Sequence, residues 1–311
     1  KLKNIPSSSE MGKLTQISAG LDHVLAVNDK GQIFTWGNDR MGLATIPVEL
    51  QAAPQPIKQI SAGYQISLAL TESGRLYNWG SAYLLNITIP SEVQGNIQKF
   101  DDNTNVVMAL TNDGEVVALS NKASAFTNIP DDIQGNVVDI ALTDESAAAL
   151  TSDGQVHLWG NNVKGSMNVP EEIQGHVTSI VGGRYHYSVV LDDGSVASWG
   201  DNNFGQDNAP KLNSPVVSAS AGYYSTYAVM EDGTVKGWGL DGYLMGTDNL
   251  GRDYWCQVWY ATQVSIRLAL VVAVGESIVG VIFGLIWGYV RSLDRFFTEL
   301  YNLIDNVPYI I

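Results

Sequence analysis

Few side chains in this 311-residue sequence have both the type and the spacing for chemistry. The four histidines, His23, His157, His176 and His186, could ligate a metal or move protons. None stands in a His-x-x-x-His or Glu-x-x-His pair, the spacings that put two ligands on one helix face. Cys256 is the only cysteine, which excludes an intramolecular disulfide and a cysteine-built zinc site. The acidic pairs Asp101-Asp102, Asp131-Asp132, Glu171-Glu172 and Asp192-Asp193 read as solvated turns, because none has the alternating acidic spacing of a calcium loop. Neither a phosphate-cradling Gly-x-x-x-x-Gly-Lys-Ser/Thr loop nor a Gly-x-Ser-x-Gly elbow occurs. No catalytic, cofactor or metal site is expected, and the chain reads as a non-enzyme.

Recognition is the chemistry that remains. Tyr64, Tyr185, Tyr187, Phe204, Tyr223 and Tyr224 make a candidate binding rim, since aromatic rings give large contact area at low entropic cost. Core packing competes for about half of them. One further group stands out. Glu276 lies inside a long apolar run. An ionised carboxylate at mid-bilayer costs at least ~2.5 kcal/mol, so it must be paired, neutralised or hydrated.

The elements that position these residues come from a repeat. A glycine, a second glycine eleven residues on and a Trp-Gly five residues later recur through residues 17–239. The clear copies hold Gly20, Gly31 and Trp36; Gly63, Gly74 and Trp79; Gly183, Gly194 and Trp199; Gly222, Gly233 and Trp238. Two copies lose the first glycine, to Asn103 and Thr143, but keep Gly114 and Gly154. Leu119-Ser120 replaces Trp-Gly in the third copy, which should make it the least regular. Successive second glycines are 43, 40, 40, 40 and 39 residues apart. Each follows a short apolar run and precedes an alternating one, as in Gln155-Val156-His157-Leu158-Trp159, which predicts a tight hairpin. Pro-led segments, Ile129-Pro130 and Val169-Pro170, suit blade edges. A repeat of about 40 residues built this way predicts an all-β propeller of four-stranded blades. His23 and His186 hold equivalent repeat positions and read as structural.

The pattern Ile17-Ser18-Ala19-Gly20, His23, Leu25-Ala26, Gly31, Trp36-Gly37-Asn38 resembles the regulator-of-chromosome-condensation repeat. The resemblance covers residues 1–239 and implies seven blades, of which six are visible. Asn4-Ile5-Pro6 matches the connector Asn128-Ile129-Pro130, so a further blade is expected to begin upstream. The sequence opens without an initiator Met and closes on an apolar run, and both ends read as cut.

Composition supports a packed protein: 45% of residues are hydrophobic and 16% charged, with 32 acidic against 17 basic, a net charge of −15. Residues 1–239 hold 25 acidic and 13 basic residues, a net −12. Such a surface repels phosphate backbones, so no nucleic-acid partner is expected.

After Gly239 the character changes. Residues 240–262 read as a linker with a permease-like motif, 263–290 as a transmembrane helix in the lipid bilayer and 291–311 as a cytoplasmic turn leading into another span. Val264–Val290 carries only Arg267 and Glu276 as charges, and its 27 residues exceed the ~20 that a bilayer needs. Glu276, Gly280, Gly284 and Gly288 follow at four-residue spacing on one helix stripe, a packing face for a neighbouring helix. The octapeptide Gly246-Thr247-Asp248-Asn249-Leu250-Gly251-Arg252-Asp253, followed by Ala261, Ser265, the glycine ladder, Asp294, Asp305 and Pro308, resembles the permeases of oligopeptide, dipeptide and nickel ABC importers, and more narrowly their C-type subunit. Glu276, Trp255, Cys256 and Trp259 depart from that pattern.

The permease resemblance implies a multi-pass protein of the plasma membrane whose propeller is inserted in an external loop. It also implies a second permease subunit, cytoplasmic ATPase subunits and a substrate-binding protein as partners. The basic pair Arg291 and Arg295 agrees with a cytoplasmic exit of the helix, while Arg252 is offset by Asp248 and Asp253. The leading expectation is therefore an importer permease with an external binding module. The alternative is a surface-anchored interaction propeller with no transport role. Nucleotide exchange on a small GTPase, known from the repeat family, gains nothing from the charge, and fold alone does not carry function.

Overall fold

The computed structural model describes residues 5–21, 23–81, 87–120, 125–240 and 254–305. The chain falls into two units, Lys1–Asp241 and Gly242–Ile311. The first is built of six antiparallel sheets, each a meander of three consecutive strands. Blade 1 holds β1 (Leu14–Ala19), β2 (His23–Asn28) and β3 (Ile33–Gly37). Blade 2 holds β4 (Ile57–Ala62), β5 (Ile66–Thr71) and β6 (Leu76–Gly80), and blade 3 holds β7 (Ile97–Asp102), β8 (Val107–Thr111) and β9 (Val116–Ala118). Blade 4 holds β10 (Val137–Leu142), β11 (Ser146–Thr151) and β12 (Val156–Gly160). Blade 5 holds β13 (Val177–Gly182), β14 (His186–Leu191) and β15 (Val196–Gly200), and blade 6 holds β16 (Val216–Ala221), β17 (Ser225–Met230) and β18 (Val235–Gly239).

The second glycines all occupy the turn between the second and third strands. Gly31, Gly74, Gly114, Gly154, Gly194 and Gly233 have φ between +75° and +79°. A side chain is disfavoured in that left-handed region, so constant glycine spacing becomes constant hairpin geometry. The first strand of every blade carries a register shift near its start, at Leu14/Gln16 and Ile57/Gln59 for example. Such bulges increase the local twist.

The blades have three strands, not the expected four. The Pro-led segments are short 3-10 turns, Asp131–Ile133 after Pro130 and Glu171–Ile173 after Pro170. Glutamine side chains take the place of a fourth strand. Gln174 Oε1 accepts the Val156 N–H at 2.7 Å, and its Nε2 donates to the Val156 carbonyl at 3.0 Å. Gln134 does the same to Val116, and Gln94 to Leu76. A primary amide carries the donor and acceptor of a peptide group, so one side chain satisfies an edge position that would otherwise stand bare. Blade 3 is the least regular. Its third strand has three residues, and Ser120 Oγ accepts the Val107 N–H at 3.1 Å where other blades have Trp-Gly.

The core lies between blades. Middle strands β2, β5, β8 and β11 are buried along their whole length. One cluster joins Val106, Met108 and Leu110 of blade 3 to Ile140, Ala147 and Trp159 of blade 4. Fully burying a Val or Leu side chain contributes roughly 1.5–3 kcal/mol. Tryptophans add a polar staple. Trp79, Trp199 and Trp238 donate through Nε1 to the carbonyls of Leu43, Ser166 and Gln206 in the preceding connectors, at 2.8–2.9 Å. Two end faces are not covered in this way. Ile17 of blade 1 is 66% exposed, while its equivalents Ile60, Phe100, Ile140 and Ile180 are buried. Tyr227 of blade 6 is 49% exposed, while its equivalents Leu25, Leu68, Met108, Ala148 and Ser188 are buried.

Two one-turn helices, α1 (Ser8–Met11) and α2 (Val48–Ala52), also belong to the first unit. The second unit holds α3 (Tyr254–Tyr289) and α4 (Asp294–Asp305). Helix α3 already runs from Tyr254, ahead of position 263, because no proline or glycine interrupts the sequence from there to Gly275. Its stretch Gln257–Ile286 is long and apolar enough to cross a membrane. Two hydroxyls within it are satisfied locally: Thr262 Oγ1 donates to the Val258 carbonyl and Ser277 Oγ to the Ala273 carbonyl, each at 2.7 Å. Helix α4 is shorter and sets Asp294, Arg295 and Glu299 beside Phe296, Phe297 and Leu300, the pattern of an amphipathic helix. Phe297 packs edge-on against Phe283 of α3, with ring centroids 6.0 Å apart.

Candidate binding face

The loop joining the first and second strands of each blade is short and starts at the repeat's first glycine position. The two residues after that position are equivalent from blade to blade. In blades 4, 5 and 6 they are Asp144-Glu145, Arg184-Tyr185 and Tyr223-Tyr224, and in blade 2 Tyr64-Gln65. Equivalent loops bring side chains 40 residues apart in sequence within hydrogen-bonding reach.

Arg184 sits at the centre of one such group. Its guanidinium carbon lies 5.2 Å from the ring centre of Tyr185 and 5.6 Å from those of Tyr223 and Tyr224. Such cation–ring contacts are worth ~0.5–1 kcal/mol each when exposed, and more when desolvated. Nη1 donates to the Tyr224 hydroxyl. Nε stands 3.4 Å from Asp144 Oδ2 in the neighbouring blade, and the Asp144 N–H donates to the Arg184 carbonyl at 2.9 Å. Burial pushes the Asp144 carboxyl above its usual range, and the Arg184 charge opposes that shift. Phe204, in the connector after blade 5, packs on Tyr224 with ring centroids 4.9 Å apart. Burial raises the Tyr223 hydroxyl, with a smaller repulsive contribution from Asp144. Tyr64 holds the equivalent loop position in blade 2, directly after Gly63.

Four of the six rim aromatics therefore converge, Tyr185, Phe204, Tyr223 and Tyr224, and Tyr64 stands in the equivalent loop of blade 2. Tyr187 does not. It is fully buried, its hydroxyl is 2.9 Å from Ser146 Oγ, and its ring lies 5.5 Å from that of Trp199. Position along the chain is the reason. Tyr185 precedes β14, whereas Tyr187 lies within that buried middle strand and reaches blade 4. Residue patterning does not single out Arg184 or Asp144. Their one signal is position, since each directly follows the first-glycine site of its repeat.

The histidines and acids take ordinary roles, with one exception. His23 Nε2 is 3.0 Å from Ser67 Oγ, and His186 Nε2 is 3.0 Å from Thr226 Oγ1, each bridging to the next blade. Burial pulls the His186 imidazole down to about 4. His176 pairs with Asp192 at the surface, 2.9 Å apart. Asp131, Asp132, Glu171 and Glu172 sit in the 3-10 turns.

Asp101-Asp102 is not a solvated turn. The pair ends the first strand of blade 3, β7, and is walled in by protein although its side chains keep some accessible surface. Asp101 Oδ2 accepts the Leu142 N–H of blade 4 at 2.7 Å. Burial, then repulsion from Asp102, pushes the Asp101 carboxyl up to about 7, and burial pushes Asp102 up to about 6. Asp139 likewise accepts the Ile180 N–H of blade 5 at 3.0 Å and is ion-paired with Lys99. First-strand carboxylates thus tie one blade to the backbone of the next. Among the described residues, no group of three His, Cys, Asp or Glu is placed to hold a metal ion.

The octapeptide Gly246–Asp253 lies outside the described residues. Glu276, Gly280, Gly284 and Gly288 do fall on α3, and all four are exposed. A Cβ built on any of the three glycines would meet nothing within 4 Å.

The regulator of chromosome condensation (RCC1) repeat matches residues 14–42, 57–83, 177–206 and 216–243. Among solved structures, the ectodomain of the receptor kinase CR4 from Physcomitrella patens is 19% identical with a TM-score of 0.58, covering 73% of this chain and 63% of that one. Yeast RCC1 (Prp20), bound to Kap60, is also 19% identical with a TM-score of 0.58, over 74% of this chain and 70% of that one. At this identity the likeness is one of fold. A stretch of 63 residues is 38% identical to the oligopeptide transport permease AmiD of Streptococcus pneumoniae, 20% of each chain. Another match, 30% over 67 residues, is to the dipeptide transport permease DppC of Bacillus subtilis, 21% of each. The chain spans about a fifth of the length of these curated relatives. It joins an RCC1-type propeller to a segment similar to peptide-transport permeases.

Proposed function

We propose that this chain is a permease subunit of an ATP-driven peptide importer that carries its propeller outside the membrane as a binding module, and is not itself an enzyme. The observation that carries the reading is the exposed apolar stretch Gln257–Ile286 in a chain with 38% identity to a peptide-transport permease over 63 residues. An uncovered apolar helix of this length favours lipid over water. The uncovered stripe of Gly280, Gly284 and Gly288 suits close approach by another helix, and Glu276 on that stripe then faces protein and not lipid. Its partners on this reading are a second permease subunit, cytoplasmic ATPase subunits and a substrate-binding protein, in the plasma membrane. The basic residues Arg291 and Arg295 favour a cytoplasmic α4 and hence an external propeller.

Cysteine accessibility on intact cells tests the arrangement. In a Cys256→Ser background, Asn162→Cys, on an exposed propeller loop, should label with a membrane-impermeant maleimide. Ser292→Cys, after α3, should label only once the membrane is permeabilised. The reverse pattern would refute an external propeller.

A further inference from the structure

We propose that the tyrosine–arginine face of blades 2, 5 and 6 binds an uncharged, proline-rich peptide segment. The proposal rests on the reading of the propeller as a binding module and names what the module takes.

Charge comes first. Among the described residues Arg184 is the one cation in the cluster, and Asp144 balances it at 3.4 Å. The repeat region as a whole is net −12, so an anion is repelled on approach. A ligand cation would have to settle among rings that a guanidinium already occupies at 5.2–5.6 Å. A neutral ligand meets neither penalty.

Donor and acceptor balance narrows the choice. The hydroxyls of Tyr64, Tyr185 and Tyr223 make no hydrogen bond among the described residues. The Tyr224 hydroxyl accepts from Arg184, which leaves its own hydrogen to donate. A guanidinium has five N–H donors, and here Nη1 bonds the Tyr224 hydroxyl while Nε, buried and without a hydrogen-bond partner among the described residues, stands 3.4 Å from Asp144 Oδ2. The side chain remains 32% exposed, so part of the donor fork still meets solvent. The nearest carboxylate is already turned to Arg184. Each tyrosine hydroxyl can donate as well as accept, so the face offers a ligand carbonyl several hydroxyl and guanidinium donors, set between ring faces, two of them well exposed: Tyr223 at 46% and Tyr64 at 38%.

A proline-rich segment is the complement of that surface. Each proline keeps its carbonyl and has no N–H, so it brings acceptors without donors to be stranded. Its polyproline II conformation is set before binding, which lowers the ordering cost. Pyrrolidine rings pack flat on aromatic faces, and aromatic-lined grooves are the usual docking surface for such segments.

The test is calorimetric titration of the full chain in lipid nanodiscs with deca-proline, a glycine–serine decapeptide and chitotetraose. Deca-proline should bind, and the other two should not. Tyr223→Ala and Tyr64→Ala should each weaken binding about tenfold or more, as loss of a central aromatic anchor does. Tyr223→Phe, which keeps the ring, should lose less than Tyr223→Ala. Arg184→Lys keeps the charge opposite Asp144 but loses the planar donor fork, and should also weaken binding. Thermal unfolding of each variant reports whether the blade is intact. Equal binding of the glycine–serine peptide, or no binding of deca-proline, overturns the proposal. Chitotetraose binding that depends on Tyr223 overturns the ligand class and leaves the binding-module reading standing. Deca-proline binding that ignores both tyrosines overturns the face itself.

Discussion

Replacing Asp101 by Asn should change how stability depends on pH. The Asp101 carboxyl is pushed up to about 7 in the folded chain, first by burial and then by Asp102. An unfolded Asp titrates near ~3.9. The folded state therefore holds this proton more tightly, so its contribution is fully present below pH ~4 and is lost as pH rises to about 7. Three pKa units correspond to ~4 kcal/mol, at about 1.36 kcal/mol each. The side chain keeps some accessible surface, and water reaching it screens the charge, so a loss of ~1–2 kcal/mol between pH 5 and pH 8 is the reasoned magnitude.

Asp101→Asn removes the titration and keeps one oxygen to accept the Leu142 N–H, now found at 2.7 Å. It cannot also accept the Asp102 N–H, which the second carboxylate oxygen does at 3.0 Å, so a fixed cost of ~1 kcal/mol applies at every pH. The informative quantity is therefore the difference between the two pH values. Urea unfolding of the full chain in detergent, followed by tryptophan fluorescence at pH 5 and pH 8, measures it. The variant should gain ~1–2 kcal/mol on the parent in going from pH 5 to pH 8. A difference that does not change with pH, or that moves the other way, would refute the claim that this first-strand carboxyl is held near neutrality.

The opposite slope is expected at His186, whose imidazole burial pulls down to about 4. Its contribution is present above pH ~6.5 and lost as pH falls towards 4, so His186→Gln should flatten the acid limb of the urea-measured stability profile over that window. Gln174→Leu removes both bonds to Val156 and leaves an edge N–H and carbonyl without their partner, which should cost ~1–3 kcal/mol. Hydrogen exchange at the Val156 amide should accelerate with it, and unchanged exchange there would mean that the glutamine clamp contributes nothing.

How much of this is legible from residues alone depends on the range of the interaction. The six hairpins follow from Gly31, Gly74, Gly114, Gly154, Gly194 and Gly233, each of which acts within its own turn. A positive φ next to an apolar run is a local demand, so residue type and spacing suffice. The membrane-length helix is legible for the same reason, since an unbroken apolar run needs no partner to define it. The irregular third blade is also local, because Leu119-Ser120 stands where others have Trp-Gly. Strand number is not local. The Pro-led segments read as edge strands, yet an amide eighteen residues from its partner, Gln174 on Val156, supplies the edge pairing without a strand.

The binding face is decided only by tertiary structure. Tyr185 and Tyr187 look alike in sequence, but one sits in a loop on the rim and the other within β14 against Ser146 of the preceding blade. Arg184, Asp144, Tyr223 and Tyr64 each come from a different repeat, and no window of sequence places them together. Asp101-Asp102 has the composition of a surface turn and ends in a walled site bound to Leu142. In a repeat fold each residue's backbone conformation is written in its own copy. Its environment is written in the next copy, about 40 residues away, and becomes readable once the blades pack.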